Sequence, residues 1–135
     1  MAAARHEQYA VLQEMLHDIF SLDLQQIQDL DEDIPSIDNG LRGALGKWSQ
    51  YQDILRILRQ GISPHTAIHF QDQYYLHYIL VPGTVDLIRY HCFGPFRISS
   101  LTDEDLLQIQ KTNGLSDHQT AFFKEFHKQI ADITL

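Results

Sequence analysis

Histidine, cysteine and acidic side chains are the residues of this chain that could perform chemistry. The sequence contains eight histidines and one cysteine. His65 and His69 have the i, i+4 spacing that places two metal ligands on one face of a helix. The neighbouring residues favour a strand, however, and in a strand this spacing separates two side chains by about 13 Å, too far for one zinc ion. We therefore predict no metal site and no cofactor.

Cys92 directly follows His91, and a thiol beside a base would suit nucleophilic catalysis. Neighbours along a strand point to opposite faces, so this imidazole could not accept the thiol proton. The acidic run at 29–33 lacks the glycine-centred spacing of a calcium loop. The sequence also has no glycine-rich phosphate loop, no Gly-x-Ser-x-Gly and no Cys-x-x-Cys. We predict no catalytic residues and a protein that is not an enzyme.

Aromatic and polar side chains are concentrated on two neighbouring predicted strands. Seven of them combine apolar surface with a hydroxyl, imidazole or guanidinium group, a mixture typical of small-molecule pockets. The same mixture is typical of a core that meets covering helices. The candidate ligand-binding residues are Tyr75, His77, Arg89, Tyr90 and His91.

The composition is that of one folded domain. The chain has 135 residues, of which 44% are hydrophobic and 21% charged, enough for one core. The net charge is −8, and Lys and Arg do not cluster, so we expect no direct contact with nucleic acid. No apolar run approaches the roughly 20 residues that span a bilayer, so we expect no membrane segment. The single cysteine and the lack of a signal peptide predict a cytoplasmic protein.

Helical patterns flank a central region that favours strands. Apolar residues recur at helical spacing over 4–20 and again over 48–61, where Gly61 is a suitable end. The segment 22–27 fits either a short strand or the end of a helix. AIHF, QYYLHYILVP and TVDLIRYHCFG are rich in β-branched and aromatic residues and predict three strands. Their connections are short enough only for antiparallel neighbours.

Signals at the end of the third strand predict how the chain leaves the sheet. Gly94 and Pro95 predict an interruption or a bulge, followed by a bend. Thr102 opens a capping box for a helix that ends near Gly114, and Ser116 opens a second box for the last helix. The order predicts an α+β domain, in which an antiparallel meander is flanked by N- and C-terminal helices and both sheet faces are at least partly covered.

The succession of short motifs resembles the N-terminal sensory region of a group of AraC-family transcriptional regulators from low-GC Gram-positive bacteria. In that group a strand ends in Pro-Gly or Pro-Asp, the next ends in Gly-Pro-Tyr or Gly-Pro-Phe, and a helix opens in Thr-x-Glu or Thr-x-Asp. The corresponding sequences here are PG at 82–83, GPF at 94–96 and TDE at 102–104. The segment SIDNGLRGAL also resembles their Asp-x-Gly-Ile/Leu-Arg segment. The resemblance runs from about Leu22 to Ile130.

The resemblance implies a single sensor domain over residues 1–135, similar in layout to PAS and GAF modules. Such a domain binds a small-molecule effector, mediates homodimerisation, or does both, and so controls an attached DNA-binding unit. The helix-turn-helix region of those regulators is absent from this sequence, so we expect an isolated sensor fragment or a stand-alone relative. The resemblance implies no particular binding residue. The alternative is a purely structural dimerisation module without ligand, in which the helix over 4–20 pairs across a two-fold axis. A small metal-dependent or thiol enzyme is a third hypothesis.

Overall fold

The computed structural model describes residues 24–61, 67–83 and 90–133, which form an α+β arrangement. The strands are β1 (Leu24–Ile27), β2 (Ile68–Gln71), β3 (His77–Pro82), β4 (Tyr90–Arg97) and β5 (Ala131–Asp132). The helices are α1 (Leu30–Asp33), α2 (Leu41–Ala44), α3 (Tyr51–Gly61), α4 (Asp103–Asn113) and α5 (Asp117–Gln129), with 3-10 turns at Ile34–Ser36 and Trp48–Gln50. Within these three ranges, no helix has the length and apolar character needed to cross a bilayer.

The sheet contains the predicted meander and two further strands. The strand order is β1-β4-β3-β2, and β2, β3 and β4 pair antiparallel in sequence order. β1 pairs antiparallel with β4, so the ambiguous segment 22–27 provides a strand. β5 pairs with the end of β4 in parallel orientation, so the sheet is not wholly antiparallel. The α+β prediction is confirmed, whereas the helix predicted over 4–20 lies outside the described residues.

β4 contains a bulge opposite the start of β3. Ile79 pairs with Phe93 and His77 pairs with Phe96, so β4 has one more residue than β3 between these two pairings. Gly94 lies in this bulge with φ +132°, and a Cβ atom there would come within 2.7 Å of the His77 carbonyl oxygen. The Gly-Pro peptide bond is cis. The predicted bulge is confirmed, and the strand continues beyond it.

The connection between β2 and β3 differs from the prediction. The Asp72 side chain accepts hydrogen bonds from the backbone N–H groups of Tyr74 (2.9 Å) and Leu76 (3.0 Å), and Tyr75 has φ +60°. These bonds fold the segment into a turn, because the Asp72 carboxylate takes the donors that a strand ladder would use. The prediction that Tyr75 lies on a strand is therefore wrong.

Helices cover one face of the sheet, which we call the core face. Leu58 of α3, Ile109 of α4 and Phe123 of α5 are buried against this face, together with the sheet residues Leu80 and Cys92. The apolar stripe of each helix supplies the contact, and burying each such side chain stabilises the fold by about 1.5–3 kcal/mol.

The opposite face, which we call the second face, contains a smaller apolar cluster. Phe93 and Phe96 of β4 are buried there, in contact with Ile79 and Val81 of β3 and with two residues at the C-terminal end, Ala131 and Ile133. Burial on both sides of β4 confirms the prediction that neither face is fully exposed.

Capping interactions begin the two C-terminal helices. The Thr102 hydroxyl accepts from Asp105 N–H at 3.1 Å, and the Asp105 carboxylate accepts from Thr102 N–H at 3.0 Å. Ser116 and Gln119 make the reciprocal pair at the start of α5, at 3.1 and 2.8 Å. Gly114 ends α4 in the left-handed conformation, with φ +62°. Both predicted capping boxes and the predicted end of α4 are confirmed.

Candidate functional site

A cluster of buried charges joins the short helices to the sheet, and we call it the Arg42 cluster. It consists of Arg42, Asp38, Asp72, Tyr51 and Tyr78. Arg42 Nη1 lies 2.9 Å from Asp38 Oδ2, and Arg42 Nη2 lies 3.1 Å from Asp72 Oδ2. The Arg42 side chain is 1% exposed, and the two carboxylates are 0% and 3% exposed. One guanidinium therefore bridges two carboxylates out of contact with solvent.

The local backbone explains how Asp38 and Arg42 meet. Gly40 lies between them with φ +77°, a left-handed conformation that glycine adopts without steric cost, and α2 begins at the next residue. The Asp38 carboxylate accepts from the N–H groups of Gly40 and Arg42, each at 3.0 Å. It therefore caps α2, and the i, i+4 spacing brings the guanidinium of Arg42 onto the same carboxylate. The segment SIDNGLRGAL thus encodes one half of the cluster.

The β2–β3 turn supplies the other half. Asp72 Oδ1 accepts from the turn backbone, and Asp72 Oδ2 accepts from Arg42 and from the Tyr78 hydroxyl at 2.9 Å. Burial raises the pKa of Asp72, an effect that Arg42 and the turn N–H groups oppose. Burial alone would lower the pKa of Arg42, but Asp72 and Asp38 outweigh it and keep the guanidinium charged. The turn is thereby held against α2.

Two further tyrosines complete the surroundings of the guanidinium. The Tyr51 hydroxyl lies 3.0 Å from Asp38 Oδ1 and accepts from Gly43 N–H at 3.1 Å. Burial, with Asp38 second, raises the pKa of Tyr51 to about 12. The Tyr74 ring faces Arg42, with its centroid 4.9 Å from the guanidinium carbon. Among the described residues, Arg42 Nε has no hydrogen-bond partner. The cluster is buried and nearly fully bonded, which suits a structural connection better than reaction chemistry.

Histidines on the second face form a separate group. His69 Nε2 and His77 Nδ1 lie 3.0 Å apart, and the two ring planes differ by 8°. The ring centroids are 5.2 Å apart, farther than the nitrogens, so the rings meet edge to edge through one hydrogen bond. The His77 ring also lies against Phe96, at 5.6 Å between centroids. Burial and the neighbouring His69 lower the pKa of His77, so it accepts or donates as a neutral imidazole.

The structure divides the predicted ligand-binding residues between the two faces. His77 and His91 both belong to the second face and are 6% and 3% exposed. They are four β3 positions apart in register, about 13 Å along the strands. Tyr75 and Tyr90 instead pack against the core face. Arg89 lies outside the described residues, as does His65.

The other residues considered for chemistry are also placed. Cys92 is buried on the core face, opposite Leu80 and on the other side of the strand from His91. Burial raises the pKa of Cys92 to about 12, so the thiol is protonated near neutral pH. No group of three or more His, Cys, Asp or Glu within the described ranges is arranged to hold a metal ion.

Sequence reasoning did not identify the Arg42 cluster or the His69–His77 contact. Asp38 and Arg42 have a recognisable i, i+4 spacing that suggests pairing, but Asp72 lies 30 residues beyond Arg42. The contact between His69 and His77 depends on the register of β2 against β3, which no residue pattern specifies. Comparison of the chain with protein-family models, with curated proteins and with solved structures finds no match.

Proposed function

We propose that this chain is a regulatory sensor domain of the AraC type, which binds a small-molecule effector and forms a homodimer to control an attached DNA-binding unit. The assignment to the AraC type rests on the resemblance between the sequence motifs of this chain and those of the regulators. The roles of Asp38, Gly40 and Arg42 support it, because each residue fixed in the Asp-x-Gly-Leu-Arg pattern has a separate physical task in one buried unit.

The observation on which effector binding rests is the composition of the second face. His77 and His91 are buried on the same face as Phe93 and Phe96, and the His77 ring lies against Phe96, so two polar rings share a face with an apolar cluster. Small-molecule sites combine a mainly apolar lining with a few polar groups that fix orientation. A neutral imidazole offers one donor and one acceptor, and Nδ1 of His77 already bonds His69, so the His77 ring would meet an uncharged polar effector through Nε2.

The start of β3 connects the second face to the Arg42 cluster, so a conformational change at this face could reach the helices. His77 is the first residue of β3, and Tyr78, the next residue, donates to Asp72 in the Arg42 cluster. A ligand that displaced His77 would therefore also shift Tyr78 and disturb its hydrogen bond to Asp72, in the turn that contacts α2. Regulation requires that the effector bind the two conformations with different affinity, and this turn is where we expect the difference to arise.

A thermal-shift screen of sugars, nucleotides, amino acids and organic acids tests the proposal. A ligand at 100 times its dissociation constant stabilises the native state by about 2.7 kcal/mol. We expect a saturable hit that is weakened by His77→Gln and unchanged by His118→Gln, because His118 is an exposed histidine on α5.

The alternative, a purely structural dimerisation module, predicts a different result of the same screen. No compound would raise the melting temperature. A melting temperature that rises with protein concentration is expected under both hypotheses, because association stabilises the native dimer, so only the ligand result distinguishes them. A hit that persists in both His77→Gln and His91→Gln would contradict binding at the second face.

A further inference from the structure

A small cavity lies between the end of β4, the segment leading into α4 and the second half of α5. Its volume is about 120 Å³, and three of its lining residues are cations: Arg97, Lys124 and Lys128. Leu101 and Leu106 provide an apolar wall. This is a local concentration of positive charge on a chain whose net charge is −8.

The three cations come from two elements, and the two lysines are exposed on α5. Lys124 and Lys128 are four residues apart on α5, so their side chains leave the helix on the same face. Arg97 is the last residue of β4, and its neighbour Phe96 belongs to the second face, so Arg97 points to the opposite side, where α5 packs. β4 and α5 therefore both contribute positive side chains to the lining of the cavity.

The guanidinium of Arg97 is only partly satisfied. Its side chain is 19% exposed, and its Nη2 lies 3.5 Å from Asp132 Oδ2. Charge-assisted hydrogen bonds are usually 2.7–2.9 Å long, so this contact is weak. Arg97 Nε is buried and has no hydrogen-bond partner among the described residues. A planar donor group with unused capacity is what a bidentate oxyanion contact requires.

Two neutral polar groups complete the lining. Ser100 contributes a hydroxyl and His127 an imidazole that is 3% exposed. Burial, followed by the charge of Arg97, lowers the pKa of His127 to about 4. Asp132 on β5 and Glu125 on α5, 3.3 Å from Lys128 Nζ, are carboxylates in contact with these cations. Neither carboxylate is among the residues that line the cavity.

We propose that this cavity binds a phosphoryl group, either as inorganic phosphate or as the phosphate of a small monoester. Its size fits one tetrahedral oxyanion with a few attached atoms. Three cationic donors and a hydroxyl match the oxygens of such a group, and Arg is the side chain that binds them in bidentate geometry. The site is separate from the second face and does not depend on the proposed effector.

Calorimetric titration of the full chain with inorganic phosphate, at constant ionic strength set with chloride, tests this site. We expect saturable binding that is weakened roughly tenfold or more by Lys124→Gln, because a hydrogen bond to a charged group is lost. Lys111→Gln is the matched control, since Lys111 is an exposed lysine on α4 and the variant has the same net charge. Arg97→Gln should weaken binding further.

A second measurement reports from inside the cavity. Phosphate should raise the pKa of His127 followed by NMR, because a bound anion favours the imidazolium. Comparison with glycerol phosphate identifies the source: tighter binding than inorganic phosphate indicates a monoester, and weaker binding indicates the free ion. The proposal is overturned if phosphate produces no saturable heat, or if Lys124→Gln and Lys111→Gln bind phosphate equally.

Discussion

Replacing Arg42 with methionine should be the most damaging single charge removal among the described ion pairs. The substitution retains a long apolar side chain but leaves Asp38 and Asp72 facing each other, 0% and 3% exposed, without a cation. Removing one partner of a buried ion pair costs about 3–5 kcal/mol. The total stability of a domain is about 5–15 kcal/mol, so we expect a large fraction to be lost.

An exposed ion pair provides a control that separates burial from distance. Arg59 Nη2 lies only 2.6 Å from Asp31 Oδ1, closer than either contact of Arg42, but the two side chains are 54% and 68% exposed. Exposed pairs contribute about 0–1 kcal/mol because water screens them. Arg59→Met should therefore cost less than about 1 kcal/mol, although distance alone would rank this pair as the stronger one.

Urea denaturation followed by circular dichroism measures both variants. The free energy of unfolding is extrapolated to water, and an unchanged slope shows that the denatured state is comparable. If Arg42→Met does not fold, Asp72→Asn provides the same test, because the amide oxygen can still accept from the turn while the charge is removed. In Arg42→Met/Asp72→Asn we expect a loss smaller than the sum of the single losses. Similar free energies of unfolding for Arg42→Met and Arg59→Met would refute the conclusion that burial, rather than distance, determines the contribution of an ion pair.

Three further predictions concern other parts of the fold. The pKa of His127 is lowered to about 4, so the imidazole is neutral in the folded protein and the unfolded chain binds the proton first as pH falls. The free energy of unfolding should therefore fall as pH decreases from 6.5 to about 4. His127→Gln should flatten this dependence in urea titrations at several pH values. A slope equal to that of the wild type would exclude His127 as its origin. Gly94→Ala should lower the melting temperature by several degrees, because its Cβ would meet the His77 carbonyl oxygen at 2.7 Å, and a neutral result would mean that the bulge rearranges. Thr102→Ala and Ser116→Ala should each cost about 1 kcal/mol in urea denaturation, whereas the corresponding glycine variants should cost only a few tenths, and equal losses would argue against a capping role.

The parts of the fold that follow from local chemistry could be predicted from the sequence. The capping boxes at Thr102 and Ser116 depend on residues three positions apart, and the bulge at Gly94 depends on one dipeptide. The order of strands in the meander followed from connections too short for any other arrangement. In each case the information lies within a few residues of the element that it determines.

The turn at Tyr75 could not be predicted from strand propensity. Tyr74 and Tyr75 are both strong strand formers, and they extend the apolar pattern of β3 backwards toward Gln73. The Asp72 side chain overrides this preference by accepting from two backbone N–H groups. Propensity describes the fit of a side chain to a pleated surface, whereas here a single carboxylate determines the backbone.

The candidate sites required contacts between distant parts of the chain. Arg42 and Asp72 are brought together only when α2 packs beside the β2–β3 turn. His69 and His77 meet because β2 and β3 pair in one register, in which Phe70 faces Tyr78. A pattern of residue types identifies which side chains could interact, but the choice among partners depends on tertiary packing.

The bulge in β4 also determines the face of the sheet to which each later residue of the strand points. In a regular strand, residues three positions apart point to opposite sides, yet Phe93 and Phe96 lie in the same cluster because one additional residue stands between them. Straightening the bulge at the present length would exchange inside and outside for the remainder of the strand, directing Phe96 toward the helices and Arg97 away from α5. Deleting the additional residue would instead leave a regular strand in which Phe96 stays on the same face as Phe93. The number of residues and the shape of the backbone are therefore linked in this segment: the last residues of β4 keep their faces either with the bulge at the present length, or without the bulge and with one residue fewer.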